Sequence, residues 1–323
     1  MKGLTDIPGI RVGHASDFDA LTGCTVILCD GGAVGGVDIR GSATGTSEID
    51  TLSPGHVTDR VHAVVFAGGS AFGLEAASGV RRFLERRGVG FDTGAAKVPI
   101  VPCAILYDLG IGKANVRPTR EMGEAAAAAA TSDAVKEGCV GAGTGATIGK
   151  LVGGMRQAMK SGVGSATVTL EGPLAGVSVA ALVVVNAVGD VRDPNTGALI
   201  AGARRSAESL ELVGTEALMK RGLQGGFRRE NTTLAVVATN AKLTKVEATK
   251  LAQLSGLGMA RTIHPVNTMS DGDIVIALSI GSANANLDTL GVAGAEAVSQ
   301  AIIRAVKLST TMGGVPGLAS LRR

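Results

Sequence analysis

Residues 204–230 read RRSAESLELVGTEALMKRGLQGGFRRE and run without a break into residues 231–240, NTTLAVVATN. The first stretch is charged and helical, then turns loop-like around Gly225-Gly226 and Arg228-Arg229-Glu230, a cluster expected at the surface. The second is an apolar run of β-branched residues, the composition of a buried strand. A core strand that opens abruptly behind a polar loop, at Asn231-Thr232, is the strongest organisational mark in the chain. A domain linker explains the same change, so the mark alone assigns no chemistry.

Further apolar runs, each bounded by glycine or polar residues, surround this one. Cys24–Cys29, Ala63–Ala67, Ile100–Leu106, Ser165–Leu170, Ala181–Asn186, Leu234–Thr239 and Ile274–Leu278 read as strands. Their apolar character on both sides predicts a sheet covered on both faces. Helical spacing appears over Ser70–Arg86, where Leu74, Ala77, Val80 and Phe83 share a face opposite a basic cluster (Arg81, Arg82, Arg86 and Arg87). Glu121–Lys136 is alanine-rich and helical by propensity. Lys245–Met259 follows Thr244 as N-cap with Glu247 three residues on, the capping-box pattern, and Asp288–Val306 is the last long helix. Several strands fall between some helices, so a layered α/β sandwich fits better than a simple βαβ alternation.

Composition narrows the function. The chain has 323 residues, enough for two domains or one large one, with 45% hydrophobic residues to build a core. Only 18% of residues are charged and the net charge is +3, which offers no basic face for nucleic acid. Glycine is abundant at 48 residues, but it is interleaved with aliphatic residues and lacks a G-X-Y period, so collagen and disorder are excluded. With no Trp, one Tyr and six Phe, stacking platforms for bases or sugars are missing. Cys24, Cys29, Cys103 and Cys139 form no CxxC pair and read as small buried residues in a reducing compartment. His14, His56, His62 and His264 stand apart with no metal-ligand spacing. The N-terminus shows no apolar leader core, and the longest apolar stretch, Ala180–Val188, is far short of a span. The expectation is a soluble, cytoplasmic protein.

Gly141–Gly149, GAGTGATIG, fits a dinucleotide fingerprint in outline, but only Cys139 and Val140 separate it from a polar turn, so no strand precedes it. GATIGK is not a P-loop, because its first glycine is misplaced and Leu151 follows Lys150.

Chemistry is better served by Thr232. A β-hydroxyl at this position is able to attack its own preceding carbonyl, giving an ester that water opens. The product is a chain that starts at Thr232, with a free α-amine beside the hydroxyl. An α-amine has a pKa of about 7.7–8.0, so it serves as the base for its own nucleophile near neutrality. Asp271 and Asp273, in the turn MSDGD, are spaced i, i+2 and lie on one side of an extended chain. Two carboxylates so close repel, and at least one needs a cation or a raised proton affinity. An Asp-Gly-Asp surface turn accounts for the same residues. Lys160 precedes a glycine-rich turn and supplies a positive charge if it lies beside Thr232, although most lysines are simply solvated. Asn186 ends the run ALVVVN, where an amide is costly unless hydrogen-bonded. An amide NH₂ aimed into a cleft is a usual oxyanion donor.

Taken together, LTDIPGIRVGHASD, GVDIRGSATGTSE, VVFAGGSAFGLEAASGV, VPCAILYDLG, GAGTGATIGK, KSGVGSATV, ALVVVNAVGD, NTTLAVVATNAKL and the MSDGD turn resemble the self-processing L-aminopeptidase/D-esterase (DmpA) family, peptidase family S58. That family includes β-aminopeptidases and nylon-oligomer hydrolases. The resemblance implies a single domain over 1–323 with a four-layer αββα sandwich like that of N-terminal-nucleophile hydrolases. It implies autocleavage between Asn231 and Thr232 into an α-chain of 1–231 and a β-chain of 232–323 that stay associated. Thr232 then resembles the nucleophile of the nylon hydrolases, and Asp271 and Asp273 their carboxylate pair. Lys160 matches their active-site lysine and Asn186 the oxyanion asparagine; Tyr107, the sole tyrosine, is the candidate for an assisting hydroxyl. The implied activity is aminopeptidase cleavage of amide or ester bonds in small peptides or amino-acid amides, without cofactor or metal. The alternatives are an endo-type amidase acting on 6-aminohexanoate oligomers and an uncleaved, non-catalytic scaffold. Homo-oligomers of αβ units, tetramers or larger, follow from the same resemblance, with neither nucleic acid nor membrane as partner.

Overall fold

The computed structural model describes residues 2–151, 153–223 and 231–321. In chain order its strands are β1 (Ile10–Asp17), β2 (Thr22–Ile39), β3 (Gly45–Ser47), β4 (Val61–Ala67), β5 (Phe91–Asp92), β6 (Lys97–Val98), β7 (Cys103–Ile105), β8 (Thr147–Ile148), β9 (Met159–Lys160), β10 (Val163–Thr169), β11 (Ser178–Asn186), β12 (Asp190–Arg192), β13 (Leu199–Ala201), β14 (Thr232–Ala241), β15 (Ile263–His264) and β16 (Ile274–Ala283). The helices are α1 (Ala76–Glu85), α2 (Arg120–Ala128), α3 (Thr215–Lys220), α4 (Lys245–Ser255), α5 (Leu257–Thr262), α6 (Leu287–Lys307) and α7 (Leu318–Leu321).

One long strand organises the layers. The first half of β2 pairs with β1 and β4, and its second half pairs with β16. Between the halves Gly31 and Gly32 take φ of +76° and +77°, where a Cβ is disfavoured, and the pairing with β4 breaks between Leu28 and Ala33. The bend turns a single ladder, in the order β10-β11-β14-β16-β2-β4-β7-β3, into two stacked sheets.

Period-2 alternation then sorts the side chains. Ile27, Val64, Phe66, Leu182, Val184, Leu234, Val236, Ile274 and Ile276 meet in the core between the sheets. The opposite faces of β2 and β4, with Val26, Leu28, Val65 and Ala67, pack on α1 and α2. The outer faces of β11, β14 and β16, with Val183, Val237 and Val275, pack on α4, α5 and α6. The result is the four-layer α–β–β–α arrangement expected from sequence, with strands apolar on both faces because both faces are covered.

Several elements are shorter than their sequence patterns. The first turns of the Ser70–Arg86 helix are 3₁₀ over Ser70–Glu75, and α1 proper starts at Ala76. The alanine-rich helix stops at Ala128, because Thr131 is drawn into two main-chain hydrogen bonds with Val12 of β1, at 3.0 and 3.1 Å. Of Ile100–Leu106 only Cys103–Ile105 is strand; Pro102, which has no N–H to give a ladder, precedes it. The capping box at Thr244 and Glu247 forms as read, but the helix breaks at Gly256 into α4 and α5. The surface cluster expected at Gly225-Gly226 and Arg228–Glu230 lies outside the described residues.

All four cysteines are buried and unpaired. Burial pushes the thiols of Cys24 and Cys29 up to about 12, so neither is a thiolate near neutrality.

Gly36 of β2 carries α4 at main-chain contact: a Cβ there lies 2.1 Å from the nitrogen of Thr249. Backbone cannot swing aside, so Gly36→Ala is expected to lower stability by about 1–3 kcal/mol in denaturant titrations, the usual cost of overpacking. An unchanged midpoint contradicts this packing of α4.

Candidate active site

Strand directions bring the sequence-read residues together. β14 runs antiparallel to β11, with Asn186 opposite Thr232, and parallel to β16, with Leu234 opposite Ile274. The last residue of β11, the first of β14 and the turn that opens β16 therefore share one end of the inner sheet. Thr232, Asn186, Asp271 and Asp273 are all buried there.

The Thr232 hydroxyl donates to the carbonyl oxygen of Asn231 at 2.5 Å. That same oxygen accepts the N–H of Gly272 at 2.8 Å, and Asn231 and Asp271 are paired as in a parallel ladder. The carbonyl of the Asn231–Thr232 peptide is thus held by a main-chain donor from the Asp-Gly-Asp turn, with the hydroxyl beside it. In the intact chain the Thr232 nitrogen is a peptide nitrogen and has no basicity to offer.

The two aspartates are fastened mostly by main-chain N–H groups. Asp273 accepts from Thr233 at 2.6 Å and from Asn267 at 2.8 Å. Asp271 accepts from the N–H of Val188 at 3.2 Å, the N–H of Thr268 at 3.2 Å and the Thr268 hydroxyl at 2.6 Å. Burial raises both carboxyls above the usual range, and for Asp273 the neighbouring charge of Asp271 adds to the rise. The pair is the one that i, i+2 spacing predicts, buried rather than exposed as a surface turn.

Asn186 is fully buried and its amide is oriented. The Oδ1 atom accepts the N–H of Thr147 at 3.1 Å and the ammonium of Lys150 at 2.8 Å, while Nδ2 donates to the carbonyl of Tyr107 at 3.1 Å. Two donors on Oδ1 leave Nδ2 the donating side. Tyr107 meets Asn186 through its main chain.

The hydrogen bonds of the Lys160 ammonium go to main chain, while the Thr232 hydroxyl donates to Asn231. Lys160 is fully buried, and its ammonium donates to three main-chain carbonyls, Ala146 at 2.7 Å, Ser161 at 3.0 Å and Gly143 at 3.3 Å. The ammonium that reaches Asn186 belongs to Lys150, which also lies near enough to hold the Asp271 carboxyl down against its burial. Lys150 carried no role of its own in the sequence, where GATIGK fails as a phosphate loop and counts otherwise only within the family-like stretch GAGTGATIGK. Its signal was a lysine directly behind a glycine-rich turn, where Lys160 precedes one. The Gly272 donor had no side chain to mark it. Gly141–Gly149 opens no α-helix: Gly141–Gly143 is a single 3₁₀ turn, in which the N–H groups of Gly141 and Ala142 go to the hydroxyls of Ser16 and Thr25 and that of Gly143 to the Val140 carbonyl. Among the described residues no cluster of His, Cys, Asp or Glu is arranged to hold a metal.

Known proteins are similar to this chain over nearly its whole length. The sequence profile of Peptidase family S58 matches residues 2–319. An uncharacterized aminopeptidase of Mycobacterium tuberculosis (strain ATCC 25618 / H37Rv) is 40% identical over 347 residues, covering 98% of this chain and 96% of the relative. A 6-aminohexanoate-oligomer endohydrolase of Kocuria sp. (strain KY2) is 31% identical over 318 residues, covering 94% and 85%. Among solved structures, the β-aminopeptidase of Burkholderia sp. superposes with a TM-score of 0.72 at 23% identity, covering 99% of this chain and 92% of that one. The L-aminopeptidase D-Ala-esterase/amidase of Ochrobactrum anthropi, described as a variant of the Ntn hydrolase fold, gives 0.74 at 20% identity, covering 98% and 88%. The αββα architecture is that fold.

Asp108, next to Tyr107, is also buried and accepts from the N–H of Gly69 and the hydroxyl of Thr22, each at 2.7 Å. Burial raises its carboxyl to about 6. Folding therefore favours the protonated form, a contribution whole below about pH 4 and lost as pH rises through about 6. Asp108→Asn is expected to flatten the melting temperature between pH 4 and 7 and to stabilise the protein at pH 7.5. The scale is about 3 kcal/mol at about 1.4 kcal/mol per pKa unit. A variant that melts below the parent at pH 7.5 with the pH slope intact contradicts it.

Proposed function

The chain belongs to Peptidase family S58 and is a hydrolase of peptide and related amide bonds, and we propose that it matures by cutting itself between Asn231 and Thr232. In the cut, the Thr232 hydroxyl oxygen attacks the Asn231 carbonyl carbon. The C–N bond breaks, the hydroxyl proton ends on the departing nitrogen, and an Asn231 ester of Thr232 forms. Water hydrolyses that ester and leaves two associated chains, 1–231 and 232–323. The observation that carries this reading is the Thr232 hydroxyl 2.5 Å from the Asn231 oxygen, with Gly272 N–H holding the same oxygen at 2.8 Å.

The mature enzyme is an aminopeptidase on small peptides or amino-acid amides. The freed α-amine of Thr232 takes the proton of its own hydroxyl, and the oxygen attacks the substrate carbonyl carbon. Negative charge developing on the carbonyl oxygen is met by Nδ2 of Asn186 and a main-chain N–H, of which Gly272 is the best placed. The Thr232 ammonium returns its proton to the leaving amine, and water clears the acyl-enzyme. Asp271 and Asp273 face the new ammonium and set its protonation, and the charge of Lys150 keeps Asn186 oriented. Tyr107 borders the same site.

A second reading is endo-type hydrolysis of 6-aminohexanoate oligomers, favoured by the Asp271–Asp273 pair and the threonine nucleophile. A panel of amino-acid p-nitroanilides and 6-aminohexanoate oligomers separates the two. No helix among the described residues is long and apolar enough to cross a membrane. The same proposal places the enzyme in the cytoplasm as a homo-oligomer of αβ units.

Thr232→Ala is expected to leave one uncut chain with no turnover, and Thr232→Ser to retain part of both activities. Hydrolysis by Thr232→Ala at the parent rate contradicts the assignment of the nucleophile.

A further inference from the structure

A lysine with no exposed surface is costly, and here the ammonium's hydrogen bonds go to main-chain carbonyls, with the buried Asp108 carboxyl and the Cys139 side chain near enough to favour the charge. The Lys160 ammonium has three protons and spends them on Gly143, Ala146 and Ser161. Of these, Ala146 is the informative one. Its carbonyl accepts both the ammonium, at 2.7 Å, and the N–H of Ser161, at 3.0 Å. The other end of that same peptide unit is the N–H of Thr147, which donates to Oδ1 of Asn186 at 3.1 Å. A peptide unit is planar and stiff, so fixing its C=O fixes the direction of its N–H. The Thr147–Lys160 pairing between β8 and β9 and the hydrogen bond from Lys160 N–H to Pro316 O, at 2.8 Å, anchor the lysine itself.

We propose that Lys160 is a positioning residue: it clamps the Ala146–Thr147 peptide so that Thr147 aims the amide of Asn186 at the site of reaction. Its hydrogen bonds go to carbonyls of the main chain, so it acts on Asn186 through the peptide and not directly. The inference rests on the proposed oxyanion role of Asn186, and it separates the two lysines. Lys150 charges the Asn186 oxygen directly, while Lys160 sets the peptide that shares that oxygen.

Lys160→Met removes the ammonium at similar length, and Asn186→Ala removes the group through which it acts. On the parent's best p-nitroanilide, with cleaved protein, Lys160→Met is expected to lower kcat about 100-fold, the scale of a misaimed oxyanion donor. KM should stay within about twofold, and the pH–rate inflections should not move. In the Asn186→Ala background the same substitution should cost nothing further, because both changes remove one effect. Lys160→Gln, which keeps an uncharged donor in the cage, should fall between the parent and Lys160→Met, and it replaces Lys160→Met in the cycle if that variant is insoluble. Full additivity with Asn186→Ala overturns the proposal, as do a displaced pH inflection or parent-like kcat in folded Lys160→Met. Loss of chain cleavage in both Lys160 variants but not in Asn186→Ala overturns it as well. Turnover by Thr232→Ala instead sinks the nucleophile assignment and leaves a result of its own.

Discussion

The flanking of β14 by one antiparallel and one parallel neighbour is the constraint on which the site depends. Antiparallel pairing with β11 sets the end of one strand against the beginning of the next, and so Asn186 against Thr232. Parallel pairing with β16 sets two beginnings together, which brings Asp273 against Thr233. Exchange either direction and one of these groups moves to the far end of the sheet, about 3.3 Å per residue away. The bend of β2 at Gly31-Gly32 completes the arrangement. It closes the second sheet over the first and shuts water out of the core beneath the site.

Within that frame the electrostatics are unbalanced in the uncut chain. Two buried carboxylates stand in sequence around Gly272, raised by burial and, for Asp273, by mutual repulsion. Their neighbours are main-chain N–H groups, the Thr268 hydroxyl and the more distant charge of Lys150. The proposed cleavage turns the Thr232 peptide nitrogen into an amine at this spot. A cation formed there relieves the repulsion of the pair and is itself favoured by it. In that proposal the event that makes the nucleophile's base also adds a counter-charge beside the pair.

Much of this was legible in the sequence, for physical reasons that differ between residues. Strands apolar on both faces could only lie between layers, and LAVVAT and IVIAL do so. Asn186 was visible because an amide at the end of an apolar run demands partners, and Asp271 and Asp273 because i, i+2 spacing joins them on one side. The lysines were not separable in this way. Lys150 and Lys160 both sit near glycine-rich turns, and only the hairpin of β8 and β9 decides which ammonium turns inward to carbonyls and which reaches Asn186. The Gly272 donor was invisible because a main-chain N–H leaves no mark on a residue's identity. The early end of α2 was missed because the pull of Val12 on Thr131 is a tertiary contact that overrides alanine's helix propensity.

The account stands on the peptide bond between Asn231 and Thr232 being opened by the protein itself. The most direct measurement is intact-mass spectrometry with N-terminal sequencing of purified protein that hydrolyses an amide substrate. The account predicts two chains, one of them beginning Thr232-Thr233-Leu234. Active protein with a single uncut chain and no terminus at position 232 contradicts it.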